Sequence, residues 1–323
     1  MKLPPRRPLA HLPTPLEPLP RLTAQLGGPE LWIKRDEQTG LAGGGNKARK
    51  LEYLLADAQT RGARTLITGG AAQSNHCRQT AAAAARVGLR CIVVLRGERP
   101  AEATGNILLD ELLGAEIVWA GAQPSSAVMQ TVYEAEAAAG RAPYLIPLGG
   151  SNALGAVAYV VAMNELIEQL EPGNSGFTHI CLASASGSTH AGLALGAKAL
   201  MPGVQVLGFS VDQSLDALRS HVAQLATETA ALLELPFTFT LTDIAANADY
   251  RSAEDDRLSS REREAIRLLA QCEGVLLDPV FTGKAFGGLI DLISKGEIGQ
   301  GERVLFWHTG GQPALFAYAE QLI

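Results

Sequence analysis

The sequence predicts an α/β protein of two domains, each an open, twisted, mostly parallel sheet flanked by helices, and three observations lead there. Short apolar runs of strand length alternate with helical patterns along almost the whole chain, the arrangement that packs parallel strands between helices. Two stretches, 142–164 and 177–197, carry no Asp, Glu, Lys or Arg, yet contain Gly with Asn, Ser, Thr or His. They read as buried α/β core and not as membrane spans, which want about 20 mostly apolar residues. Finally, 323 residues are enough for about two domains at roughly 100–200 residues each.

The elements follow in order. "LAGGGNKARKLEYLLADA" (41–58) passes from three glycines into a helical pattern. "TLITGG" (65–70) is a predicted strand, "SNHCRQTAAAAARVG" (74–88) a helix with a Gly stop, and "RCIVVLRG" (90–97) a strand. "NILLDELLG" (106–114) is a helix, "AEIVWA" (115–120) a strand, 125–139 an Ala-rich helix and "PYLIPLGG" (143–150) a strand. A helix over 152–170 ends at "EPGNSG". Strand 177–183, helix 188–200, strand 204–210 and helix 214–233 come next, and 237–260 reads as irregular. Helices at 261–273 and 283–293, a strand at 303–308 and a helix at 313–321 finish the chain. Several strand ends (68–76, 148–152, 184–189, 308–312) are rich in Gly, Ser, Thr and Asn. Ligands of such sheets bind at the carboxyl ends of the strands, so these turns predict one cleft lined from many sides.

Composition narrows the function. A net charge of −6 argues against a nucleic-acid groove. Cys77, Cys91, Cys181 and Cys272 are far apart, so neither a zinc site nor a disulfide framework follows, and a reducing cytoplasm is the expected home. The Pro-rich N-terminus lacks the apolar segment of a secretory signal.

Five segments carry candidate chemistry. Gly43, Gly44 and Gly45 allow a tight turn beside a ligand, and Lys47 follows them. Lysine, unlike arginine, can lose its proton and attack an aldehyde; a merely solvated helix-start lysine is the competing reading. Ser74 or Asn75 can cap the helix that follows, whose first N–H groups suit a carboxylate. Ser186, Gly187, Ser188 and Thr189 form a loop at a helix start that suits a phosphate monoester, without the spacing of a nucleotide loop. Thr282 and Thr309 stand in glycine-rich turns, and His308, at a strand end, reads as structural. An aldehyde-capturing amine, a phosphate cup, a carboxylate site and neutral hydroxyl donors together match pyridoxal 5′-phosphate.

These segments resemble the pyridoxal-phosphate enzymes of the tryptophan-synthase-β fold (fold type II), in the subgroup of D-cysteine desulfhydrase and 1-aminocyclopropane-1-carboxylate (ACC) deaminase. The resemblance runs from "TPLEPLPRL" and "LWIKRDE" through "GGGNKARKLEYL", "AAQSNHCRQTAAAAA", "GNILLDELLGAEI", "PYLIPLGGSNALGA", "SGSTHAGLA" and "LLDPVFTGKA" to "HTGGQPALFAY". It implies a large cofactor-binding domain over 1–48 and 158–323, a small domain over 49–157, the cofactor in the cleft between them, and a homodimer. It implies that Lys47 forms a Schiff base with the cofactor aldehyde and that Asn75 meets the ring hydroxyl. Ala185, Ser186, Gly187, Ser188 and Thr189 would hold the phosphate with Lys50, while Thr282 and Thr309 also face the cofactor. Ser74, Asn75 and His76 would hold the substrate carboxylate, Ser74 being a candidate proton carrier. The implied reaction is α,β-elimination on a small amino acid: D-cysteine first, L-cysteate second. ACC deamination, racemisation and a non-turnover cofactor-binding role rank lower.

Two departures bear on the substrate. The family's desulfhydrases, like its ACC deaminases, carry Tyr at the position of Phe281, expected beside the substrate, so a hydroxyl is missing here. ACC deaminases follow it with Glu where this chain has Thr282, and a threonine beside the pyridine nitrogen makes a weaker electron sink, suited to a good leaving group. "NADYRSAEDDR" (247–257) replaces a Gly-Tyr-Gly-type loop. There Tyr250 aligns with the loop tyrosine, and Arg251 is expected to favour an anionic leaving group. The competing reading leaves Arg251 in solvent, paired with Asp255 or Asp256.

Overall fold

The computed structural model describes residues 1–171, 176–251 and 257–323. In chain order it builds β1 (Leu16–Pro18), α1 (Pro20–Leu26), β2 (Glu30–Arg35), α2 (Asn46–Thr60), β3 (Thr65–Gly70), α3 (Asn75–Val87) and β4 (Arg90–Leu95). Then come α4 (Gly105–Leu112), β5 (Glu116–Trp119), α5 (Ser125–Ala138), β6 (Pro143–Leu145), α6 (Ala153–Gln169), β7 (His179–Ser184) and α7 (Ser188–Leu200). The remainder is β8 (Gln205–Ser210), α8 (Leu215–Leu232), β9 (Ala245–Asn247), α9 (Ser260–Glu273), α10 (Thr282–Ser294), β10 (Arg303–His308), α11 (Ala314–Ala317) and α12 (Ala319–Leu322).

Two sheets result. The larger runs β1-β2-β10-β7-β8-β9 and the smaller β5-β4-β3-β6. Every pairing is parallel except β1 with β2. Central strands lie under helices on both faces, so they read as unbroken apolar runs and not as alternations. Val304, Leu305, Phe306 and Trp307 of β10 are all buried, as are Leu66 and Ile67 of β3. Among the described residues no helix is long and apolar enough to cross a membrane.

Three local expectations are corrected, and residues 16–35 add β1, α1 and β2, which the periodicity does not mark. Segment 237–260 contains the edge strand β9, parallel to β8. The strand expected over 143–150 ends at Leu145, because Gly149 and Gly150 turn the chain at φ 66° and 62°. The last helix breaks at Tyr318 into α11 and α12.

A buried polar knot locks the segment that leads to Lys47. Arg49 donates to both oxygens of Asp36 (Nε 3.0 Å, Nη2 2.8 Å) and to both oxygens of Glu165 (2.8 Å each). Tyr159 Oη (2.6 Å) and Trp307 Nε1 (2.9 Å) donate to Asp36 Oδ2, and Thr14 Oγ1 donates to its Oδ1 at 2.9 Å. Lys34 Nζ reaches Glu165 at 2.6 Å. Burial alone would raise the Asp36 pKa, but the adjoining Arg49 charge and these donors bring it below the carboxylate norm.

Asp110 of α4 is the opposite case. It is fully buried, and neither carboxylate oxygen has a hydrogen-bond partner among the described residues. Burial raises its pKa to about 7, against the pull of the Arg78 charge. A carboxyl raised in the folded state stabilises only while protonated, so stability falls as pH climbs from the unfolded value toward about 7. Asp110→Asn is therefore expected to match wild type near pH 4 and exceed it by about 1–3 kcal/mol above pH 7. Urea unfolding at the two pH values measures this; equal midpoints at high pH would refute it.

Candidate active site

A cavity of about 660 Å³ opens between the two sheets, at the carboxyl ends of β3, β4, β7, β8 and β10. Lys47, Lys50, Ser74, Asn75, His76, Ala185, Ser186, Gly187, Thr189, Phe281 and Thr309 all line it. Glycines carry Lys47 to this wall. Gly45, at φ 130°, precedes α2, and the Asn46 N–H is anchored on the Thr309 carbonyl at 2.9 Å. A Cβ on Gly44 would lie 1.8 Å from the Glu37 carbonyl oxygen, so only glycine fits.

Lys47 Nζ donates to the Gly149 carbonyl at 3.1 Å. Burial lowers its pKa to about 8, with hydrogen bonding to Lys50 working in the other direction. Lys50, one turn further on, donates to Ser188 Oγ at 2.8 Å. Its pKa is pushed well below the lysine norm by burial first and then by the Lys47 charge. A methyl group on Gly149 would sit 2.3 Å from Ser186 Oγ and 3.3 Å from Lys47 Nζ, so this glycine keeps the space between amine and cup open.

The cup is the turn from β7 into α7. Gly187 adopts φ 84° immediately before the helix. The turn's carbonyls are already engaged: Ser186 O accepts from Ser151 Oγ and, at 3.2 Å, from His221 Nε2, while Ala185 O accepts from Gln213 Nε2. That arrangement leaves the positive end of the α7 dipole for an anion. Thr189 Oγ1 accepts from Asn46 Nδ2 at 3.0 Å, which ties the cup to the glycine loop.

Across the cavity Ser74 caps α3, accepting the Cys77 N–H at 3.2 Å. A Cβ on Gly70 would fall 2.5 Å from the Ser74 hydroxyl oxygen. His76 is neutral, driven well below its ordinary value by burial and then by the Lys47 and Lys50 charges. Thr68 Oγ1 donates to the Ile146 carbonyl (2.9 Å), so the 2.9 Å contact with His76 makes Nε2 the protonated nitrogen. His76 Nδ1 has no partner among the described residues.

The wall omits four expected residues. Ser188 is fully buried, with its hydroxyl accepting from Lys50 and its N–H donating to Ser151 Oγ at 3.1 Å. Thr282 is fully buried too, its hydroxyl donating to Asp278 Oδ1 at 2.6 Å. Tyr250 packs on Phe209 in the large core and donates to Asp291 at 2.5 Å, so its hydroxyl is turned to the α10 side. Arg251 is exposed and does not line the cavity; Asp255 and Asp256 lie outside the described residues. His308 is buried and satisfied, accepting from the Gly310 N–H and donating to the Leu276 carbonyl.

Sequence reasoning missed other wall residues: Arg96 after β4, Asp212 and Gln213 after β8, and His221 on α8. The first three follow strand ends, which was the available signal. His221 gave none.

Comparison with known proteins now decides the family. Residues 8–310 match the model described as pyridoxal-phosphate dependent enzyme. This chain is a member of that family. D-cysteine desulfhydrases from Salmonella typhi and Salmonella newport (strain SL254) are each 47% identical to this pyridoxal-phosphate family member over 322 residues, spanning 97% of this chain and 96% of theirs. A solved structure described as an ACC deaminase homologue superposes with a TM-score of 0.90 at 39% identity, covering 99% of this chain and 95% of that one. The residues present fit the family's cofactor. Lys47 offers an amine of lowered pKa, the α7 turn and Lys50 offer a phosphate seat, and Asn75 offers an amide at the opposite wall.

Proposed function

We propose that this enzyme catalyses α,β-elimination on D-cysteine, releasing pyruvate, ammonia and sulfide. One observation carries the reading: an amine of lowered pKa (Lys47), a capped hydroxyl (Ser74) and an anion cup face a single cavity. The near full-length 47% identity to D-cysteine desulfhydrases supports the choice of substrate.

Bound pyridoxal phosphate supplies an aldehyde for the amines and a ring that accepts the electron pair released at Cα. In this reading Lys47 would hold the aldehyde carbon through its amine. Either the Lys47 amine or the Ser74 hydroxyl, both on the cavity wall, would take the Cα proton. The substrate carboxylate rests on the α3 N-terminus at Ser74, Asn75 and His76, which fixes the Cα–H bond relative to both bases. Lys50, Ala185, Ser186, Gly187 and Thr189 would hold the phosphate, with Ser188 positioning Lys50. Sulfide departs with its bonding pair. We place the large domain at 1–48 and 158–323 and the small one at 49–157, in a cytoplasmic homodimer; four buried free cysteines support a reducing compartment.

A second reading, L-cysteate with sulfite as the leaving group, is favoured by Arg96, an exposed cation on the cavity wall. It no longer draws on Arg251. A pyruvate-release screen over D-cysteine, L-cysteine, β-chloro-D-alanine, L-cysteate, D-serine and ACC tests both. D-Cysteine is expected to give the highest kcat/KM. Turnover of ACC alone would overturn the proposal, and L-cysteate turnover that Arg96→Ala abolishes would install the second reading.

A further inference from the structure

Arg78 on α3 is fully buried, and its hydrogen-bond partners are neutral oxygens. Nη1 donates to the Ala42 carbonyl, Nη2 to the Gly44 carbonyl (3.2 Å) and to Asn75 Oδ1 (3.4 Å), and Nε to Asn106 Oδ1 (2.7 Å). Asn106, the second residue of α4 and also fully buried, turns its amide nitrogen to the Gln73 carbonyl (3.0 Å) and to Asn75 Oδ1 (3.1 Å).

These contacts fix amide orientations by necessity. A guanidinium Nε–H can only donate, so the Asn106 oxygen must face Arg78. A backbone carbonyl can only accept, so the Asn106 nitrogen must face Gln73, and the same NH₂ group donates to Asn75. Asn75 Oδ1 is thereby held inward by two donors. Its own NH₂ group is left for the cavity that Asn75 lines. Behind this amide stands a cation whose hydrogen bonds use no carboxylate; Asp110 acts on it only through space.

We propose that Arg78 and Asn106 are positioning residues that lock the Asn75 amide with its donor toward the cofactor's ring hydroxyl, favouring the ionised form of that oxygen. This rests on the reading that places Asn75 beside the ring hydroxyl. A reversed amide would present an oxygen there, and the ring oxygen would keep its proton in order to donate. The lock therefore sets the ionisation of the bound cofactor without touching it.

Asn106→Asp tests this at nearly constant shape. The new carboxylate still accepts from Arg78 Nε, but it has no donor for Asn75 Oδ1. With only the long 3.4 Å contact from Arg78 Nη2 left to hold Oδ1, the Asn75 amide is then expected to turn, giving its NH₂ to the carboxylate and its oxygen to the cavity. In the holoenzyme, the longer-wavelength absorption band of the ionised ring oxygen should lose more than half its intensity to the shorter-wavelength band of the protonated form. The pH at which the two bands exchange should rise. Asn106→Ala removes one of the two donors and should give an intermediate shift, so it carries the test if the Asp variant does not fold. Asn75→Asp should shift the bands in the same direction. If it does while both Asn106 variants keep the wild-type spectrum and pH profile, the locking role is overturned and the place of Asn75 stands. If Asn75→Asp also leaves the spectrum unchanged, the place of Asn75 falls as well.

Discussion

Lys47→Ala is expected to lower pyruvate release from D-cysteine by about a thousandfold or more, since in the proposed reading this side chain anchors the aldehyde and is one of two candidate bases for the Cα proton. Lys50 cannot stand in for it, because its amine is fully buried and held on Ser188 Oγ at 2.8 Å. The purified variant should also lose the visible absorbance of covalently held cofactor. Lys47→Arg should behave alike, because a guanidinium keeps the charge without a free amine to attack. The pH dependence has a defined sign. Only the unprotonated amine attacks, and burial has lowered the Lys47 pKa to about 8. Cofactor capture by the wild-type apoprotein should therefore accelerate as pH rises toward about 8 and level off above it, which stopped-flow absorbance reads directly. A variant lacking Lys47 that keeps the visible band would remove Lys47 from the role.

Asp36→Ala is expected to destabilise the fold by about 3–5 kcal/mol at neutral pH. It strips a fully buried carboxylate from Arg49, Tyr159, Trp307 and Thr14 together, leaving the Tyr159 hydroxyl, the Trp307 indole N–H and the Arg49 Nε–H without that acceptor and Arg49 with Glu165 alone as its carboxylate partner. Tyr159→Phe, which removes one of those donors, should cost about 1 kcal/mol. The Asp36 pKa lies below its ordinary 3.8 in the folded state. The carboxylate's contribution is therefore complete above the unfolded value and is lost as pH falls through the folded one. The gap between variant and wild type should narrow in acid. Urea midpoints at neutral pH and near pH 3 check both statements; a neutral-pH loss under 1 kcal/mol would show the knot to be dispensable.

Much of this molecule is legible in its sequence, for reasons that differ by element. Helices such as α3 and α7 and strands such as β3 and β10 are long, periodic and bounded by Gly or cap residues, and each falls within a residue or two of its expected ends. β1 and β9 have three residues each and exist through pairing with distant chain, so no local pattern announces them. In the site, glycine-rich strand ends pointed to the cleft from many sides. Tyr250 lies off the cavity wall, and order along a loop does not reveal which way a ring turns; packing on Phe209 and the bond to Asp291 decide that. Arg96 escaped notice since one arginine after a strand looks like any solvated charge. The Asn75 amide orientation depends on Arg78 and Asn106, which no local pattern ties to it and only the fold brings beside it.

The order of the larger sheet has a consequence for the timing of assembly. β10 lies between β2 and β7, with Arg303 beside Glu30 and Val304 beside His179. On a ribosome, β2 and β7 emerge without the strand that joins them, and the wall formed by Thr309 and the glycine loop cannot close until residue 309 has been made. Loop closure over such a span is slow compared with local helix formation. The smaller sheet draws its four strands from residues 65–145 and is complete far earlier. A nascent chain is thus expected to hold all four strands of the smaller sheet, and Ser74, well before it has a pocket to offer a cofactor.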